Sequence, residues 1–273
     1  MNNLNYYQEF HYFYKNNFTL NQLIDYIKND KQIIFLKYGD GEVECMKVTD
    51  ENNNMISYGQ NCDNDKYFPE LSYELKEAFI YFVNYHTYQN VHIGKWHSRN
   101  ESDYLSKYYY EYQNKKNYVN KIIPYTNYHL VMNDKINLQN NSIYQFVKSI
   151  KYKENSIKIV VSNIQNQLLK DLFSSHYFVE TPSSSLYLKI EDIEKSIKNI
   201  IEKYSNQKII LLTSCGLSAK VLIYRLLKIY DTQLSAIDLG SSFDLLCKKR
   251  ITRTYQNEYS YETIYNYYHK LLS

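Results

Sequence analysis

Lys208–Leu239 reads KIILLTSCGLSAKVLIYRLLKIYDTQLSAIDL. Lys208–Thr213 is a short apolar run bounded by Ser214-Cys215-Gly216, which predicts a strand buried on both faces. Leu217–Ile229 carries apolar residues at helical spacing, and Leu234–Leu239 is a second apolar run. Strand, turn, helix and strand in this order form the repeating unit of a parallel sheet. The turn has one glycine and matches neither a P-loop nor a dinucleotide fingerprint. It still joins a strand to a helix amino terminus, where free amides and the helix dipole favour an anion. Ser214, Gly216 and Ser218 are the candidates to line such a site. The plainer alternative is that the two serines cap the helix.

The same alternation extends on both sides. Thr19 predicts a cap for a helix over Leu20–Asn29, followed by a strand at Gln32–Tyr38 and, after Pro69, a helix over Glu70–Tyr85. Val91–Gly94, Tyr128–Met132, Ile157–Ser162 and Tyr177–Glu180 read as strands. Asn100–Lys115, Ser142–Ile150, Gln165–Phe173 and Lys189–Tyr204 read as helices. The expected class is α/β: a Rossmann-like, mostly parallel sheet with helices on both faces. No internal repeat or Gly/Ser/Pro linker divides the chain, so one domain is expected over residues 1–273. Its tail, from about Lys248, is basic and then Tyr-rich and can pack back as a helix.

Ligands of open parallel sheets bind beyond the carboxyl ends of the strands, and the first strand ends in Tyr38-Gly39-Asp40-Gly41-Glu42. In extended backbone Asp40 and Glu42 project to one side, and the flanking glycines allow close approach of a ligand. Two hard oxygen ligands on such a loop suit Mg²⁺ or Mn²⁺, with substrate phosphates completing the shell. A Gly-Asp-Gly turn with solvated acids is the alternative. Asp238 and Asp244, at and after the last strand, are candidates for a general base or a ribose contact, or else caps. Arg250 and Arg253 lie in the basic stretch KKRITR and can clamp a diphosphate or form a solvated face. His92, Trp96, His97 and Arg99 cluster without metal-ligand spacing.

Composition excludes some classes. Of the 273 residues, 32 are Lys or Arg and 29 Asp or Glu, a net charge of +3 that is too small for a non-specific nucleic-acid binder. No window is apolar and long enough for a membrane span, and the first residues lack the pattern of a signal peptide. Cys45, Cys62, Cys215 and Cys247 form no CxxC pair, so free thiols and a cytoplasmic location are expected. The 33 tyrosines, with many Asn and Lys and only four Arg, reflect A/T-rich codons rather than a tyrosine-based function.

Two strand ends together resemble a known family. Gln32–Met46, QIIFLKYGDGEVECM, resembles the "R-F/Y-G-D-G-E" opening of the GT-D glycosyltransferases, a group first recognised as a domain of unknown function. Ile209–Leu246 is similar to that family's second block, a strand, a Gly-centred turn, "A-K/T-V-L-x-Y-x-L" and "A-I-D-x-G" in order. Tyr67–Ala78 resembles its "Y-x-P-E-L-x-x-x-L-K" helix, and Leu172-Phe173 and Glu180-Thr181-Pro182 stand where the family has "D-L-F" and a following Pro. Departures are specific. Gly240-Ser241-Ser242-Phe243 replaces "G-H-I-D", and Val161–Phe173 lacks the arginine and glycines of the family's corresponding motif.

The resemblance implies a GT-D fold and a D-x-E motif at Asp40-Gly41-Glu42 that binds Mn²⁺ or Mg²⁺ and the diphosphate of a nucleotide-sugar. It places Tyr38, Gly39, Gly41, Ser214, Gly216, Ser218, Arg250 and Arg253 around that donor, with Asp238 or Asp244 as base or sugar contact. The expected activity is transfer of a sugar, from a UDP-sugar in the first instance, to a glycan or glycoprotein acceptor. A non-catalytic nucleotide- or glycan-binding module is the competing expectation. No nucleic-acid partner and no membrane insertion are expected.

Overall fold

The computed structural model describes residues 19–50, 52, 54–85, 90–95, 104–109, 111–112, 125–127, 138–253 and 259–272. Thr19 caps helix α1 (Leu20–Lys28) in a reciprocal capping box with Gln22. Strand β1 (Ile34–Tyr38) follows and runs without a loop into helix α2 (Asp40–Met46), and helix α3 (Pro69–Tyr85) precedes strand β2 (Val91–Lys95). Strand β3 (Tyr125–Asn127), helix α4 (Ser142–Lys151) and strand β4 (Ser156–Asn163) come next. The helix expected over Gln165–Phe173 is broken: a 3₁₀ turn, Ile164–Asn166, precedes a short helix α5 (Leu168–Leu172). The Asn163 side chain accepts from the Gln165 amide and so ends the strand in that turn. Strand β5 (Tyr177–Thr181), helix α6 (Ile190–Lys203), strand β6 (Lys208–Ser214), helix α7 (Ser218–Tyr230) and strand β7 (Leu234–Asp238) complete the alternation.

Helix α8 (Asp244–Lys248) precedes the expected tail, which forms helix α9 (Tyr261–Leu272) packed against α8, α5 and α4. The expected strand at Tyr128–Met132, and Trp96, His97 and Arg99, lie outside the described residues, as does much of the helix expected at Asn100–Lys115. His92 sits on β2, with its ring edge-on to Tyr26 at 6.2 Å.

The seven strands form one sheet in the order β3-β2-β1-β7-β6-β4-β5, and every pair is parallel. Crossovers that step toward the β3 edge pass through α2–α3, α6 and α7, whose apolar faces join one core cluster. Crossovers that step the other way pass through α4 and α5, which share the opposite cluster with α1, α8 and α9. That split is what a uniform crossover hand produces. Alternation along the strands serves both layers: Ile209 and Leu211 face the first cluster, Ile210 and Leu212 the second. The register aligns Ser162 with Ser214 and Thr213 with Asp238, so the carboxyl ends of β4, β6 and β7 form one edge.

Candidate active site

A cavity of ≈ 840 Å³ opens at this edge. Asp40, Gly41, Glu42, Ser214, Gly216, Asp244, Arg250 and Arg253 line it, whereas Tyr38, Gly39, Ser218 and Asp238 do not. The two strand ends singled out in the sequence therefore meet, but their side chains divide differently from the expectation.

Asp40 and Glu42 do not share one side. The helix starts directly at Asp40, because Glu42 Oε2 accepts the Gly39 N–H at 2.8 Å and turns the chain at once. Both acids stand in the first turn, where the helix dipole favours negative charge. A half-helical spacing then sends Glu42 inward, 4% exposed, and leaves Asp40 at the surface of the cavity. Gly41 keeps the helix close to its neighbour: a Cβ there would meet Leu217 Cδ2 at 3.1 Å.

At the floor of the cavity, which Glu42 and Lys220 line, lies a buried ionic triad that the sequence reading missed. Lys220 Nζ contacts Glu42 Oε1 at 2.5 Å and Asp238 Oδ2 at 2.8 Å, and its third donor reaches Gly216 O at 3.4 Å. Asp238 Oδ1 accepts from Gly240 N at 3.0 Å, and Oδ2 from Lys37 N at 3.4 Å. Burial pushes the Glu42 carboxyl up, but the charges of Lys220 and Lys37, with hydrogen bonds from Lys220 and Gly39, outweigh it and hold it below the usual range. Burial opposes the charge of Lys220 as well, and Asp238 and Glu42 reverse that and raise its pKa. The available signal was a lysine in the first turn of a helix whose neighbours, Ala219, Val221, Leu222 and Ile223, are all apolar. A cation at such a place needs buried counter-charges.

The expected anion site at the start of α7 contains an anion from the chain itself. Asp65 accepts from Ser185 N at 2.6 Å, Asn61 Nδ2 at 3.0 Å and the Leu217 amide. Gly216 has φ +72°, and a Cβ there would sit 2.4 Å from Asp65 Oδ2, so the glycine answers the carboxylate rather than an external phosphate. Burial raises the Asp65 pKa against the pull of those donors. Ser218 is buried, and the Ser214 hydroxyl donates to Gly240 O at 2.6 Å. Asn166 Nδ2 then reaches Ser162 Oγ at 2.9 Å and Ser214 Oγ at 3.3 Å, tying together the ends of β4 and β6.

Other expected residues also act within the protein. Tyr38 is fully buried, edge-on to Phe79 at 5.4 Å, and so belongs to the core under the triad rather than to the cavity. Asp238 is 1% exposed behind Lys220, which removes it from contact with an acceptor hydroxyl. Asp244 lines the cavity but is paired with Lys248 at 2.9 Å and Thr252 Oγ1 at 2.8 Å. Arg253 pairs with Asp63. Arg250 is exposed and lines the cavity.

These residues fit a divalent cation in one respect. Asp40 is a solvent-facing carboxylate that accepts no hydrogen bond among the described residues, and Mg²⁺ or Mn²⁺ commonly binds through one or two carboxylates plus substrate phosphates and water. Among the described residues no group of three or more His, Cys, Asp or Glu is arranged to hold a metal by itself.

Two solved structures are similar to this chain over most of its length. One is a selenomethionine-substituted structure of domain of unknown function 1792, at 17% identity and TM-score 0.52, covering 84% of this chain and 80% of the other. The second, at 18% identity and TM-score 0.51 with the same coverage, is described as showing that the highly conserved domain of unknown function 1792 has a distinct glycosyltransferase fold. The chain has that glycosyltransferase fold. The expectation raised by Gln32–Met46 and Ile209–Leu246 thus holds for the fold. No family model and no curated protein matches the sequence. Within this glycosyltransferase fold the cavity lies at the carboxyl edge of the sheet, where such folds bind ligands. Among the described residues no helix is long and apolar enough to cross a membrane.

Proposed function

We propose that this chain is a metal-dependent glycosyltransferase that moves a sugar from a nucleotide-sugar, a UDP-sugar in the first instance, to a glycan or glycoprotein acceptor. One observation carries the reading: in a glycosyltransferase fold, a cavity at the strand ends places the solvent-facing Asp40 together with Lys37, Lys248 and Arg250. A cavity of ≈ 840 Å³ is of the size that holds a nucleotide-sized ligand. Bound Mn²⁺ or Mg²⁺ supplies Lewis acidity toward the departing nucleoside diphosphate. Asp40 offers the hard oxygen that fixes the cation, and Arg250 and Lys248 balance diphosphate charge from the rim. Asn163, Gln165, Ser183 and Ser184 form an uncharged wall of amides and hydroxyls suited to the hydroxyls of a sugar. The buried triad positions α2, and with it Asp40, against the start of α7.

The competing reading is a binding module without turnover, favoured by the commitment of Glu42 and Asp238 to Lys220. An assay of nucleoside diphosphate release from a panel of UDP-hexoses, with and without Mn²⁺, separates the two. The transferase reading expects release that needs Mn²⁺, rises with an oligosaccharide acceptor and falls about 100-fold in Asp40→Asn. Binding of a donor with no release under any condition supports the module instead.

A further inference from the structure

We infer that Lys220 is a positioning residue that serves as the permanent cation of the site, so that of the two acids in Asp40-Gly41-Glu42 only Asp40 is open to a metal ion. The inference deepens the proposed function and takes its catalytic meaning from that reading, while its geometry stands apart from it.

Every oxygen of the Glu42 and Asp238 carboxylates is already met by a donor. Glu42 Oε1 meets Lys220 Nζ at 2.5 Å and Oε2 the Gly39 amide at 2.8 Å; Asp238 Oδ2 meets Nζ at 2.8 Å and Oδ1 the Gly240 amide at 3.0 Å. The three donors of the ammonium are likewise spent on Glu42, Asp238 and Gly216 O. The side chains of Lys220, Glu42 and Asp238 are 2%, 6% and 1% exposed, so water neither screens nor replaces these contacts. A divalent ion using Glu42 would have to sit where the ammonium sits, or within a few ångströms of it in a low-dielectric setting, where like charges repel strongly. Glu42 and Lys220 border the cavity too, but of the two acids only Asp40, two residues away, is exposed in it. The motif is thus divided: one acid turned to the ligand, the other used with Asp238 to anchor α7 to α2 and to the end of β7.

The division predicts that removing the ammonium creates a metal site. Glu42 and Asp238 in Lys220→Met would be two buried carboxylates converging on one vacated point, a better trap for Mn²⁺ than the wild-type cavity. The test is titration with Mn²⁺ followed by electron paramagnetic resonance of the free ion, alone and with UDP, on variants checked by circular dichroism. Expected results are at least tenfold weaker binding in Asp40→Asn, binding within about threefold of wild type in Glu42→Gln and Lys220→Arg, and at least tenfold tighter binding in Lys220→Met that is lost again in Lys220→Met/Asp238→Asn. A loss in Glu42→Gln as large as in Asp40→Asn overturns the inference, as does a folded Lys220→Met that gains no Mn²⁺. If Lys220→Met does not fold, the comparison of Glu42→Gln with Asp40→Asn decides. A wild type that binds no Mn²⁺ even with UDP, beside a Lys220→Met that does, would sink the metal-dependent transferase and leave the role of Lys220 standing.

Discussion

Glu42 shows how one residue can look like a ligand in the sequence and serve as a structural anion in the fold. Its neighbour in the motif, Asp40, differs by two positions, but helical geometry separates them by more than half a turn. Spacing places them on one side only in extended backbone. The cue that a helix begins at once was local: a glycine followed three residues later by a glutamate whose carboxylate takes the glycine amide. Lys220 was legible only as an oddity on an apolar helix, since its partners lie 178 and 18 residues away and come together through the sheet. The Glu42 carboxyl is held below the usual range, and its sign follows: its contribution to stability is fully present above the unfolded carboxylate pKa and is lost as pH falls through the lower folded value. Asp65, raised by burial, works in the opposite direction and favours the folded state as it protonates. Urea midpoints measured from pH 7 to pH 3 are therefore expected to fall below about pH 4.5 in the wild type. They should fall less steeply in Glu42→Gln; an unchanged slope would show that Glu42 is not the linked group.

At the scale of elements, strands were the most legible part. Apolar runs such as Lys208–Thr213 admit few other readings, and most of the alternation follows because each crossover helix carries its own apolar face; α2 and α8, both short, carry no such signal, and β3 lies just before the strand expected at Tyr128–Met132. Boundaries moved where a side chain intervenes: Asn163 at the end of β4 and Gly39 at the start of α2. The backbone at the start of α7 is by itself an anion site. What fills it is Asp65, from a loop far away in the chain, and no local pattern shows that. The central strand β6 sets how strongly the edge is held. Leu211 is fully buried between two neighbours of the sheet, so Leu211→Ala is expected to cost about 2–5 kcal/mol in urea melts. Ile229, 54% exposed near the end of α7, should change stability by less than about 0.5 kcal/mol on the same substitution. Equal losses at the two sites would contradict the placement of the core.

For the whole molecule, seven parallel strands and two helical layers bring the ends of β1, β4, β5, β6 and β7 to one cavity. Carboxylates, among them the solvent-facing Asp40, and basic side chains both line it, together with amides and hydroxyls. In the proposed function Asp40 holds the metal ion that meets the donor diphosphate. The most direct measurement is the thermal midpoint of wild type and Asp40→Asn with UDP, with Mn²⁺ and with both. A ligand at about 100 times its Kd adds ~2.7 kcal/mol, or roughly 5 °C for a domain of this size. Such a rise is expected in the wild type only when UDP and Mn²⁺ are present together, and is lost in Asp40→Asn. An equal rise with UDP alone, or one that survives in Asp40→Asn, would contradict the proposed function.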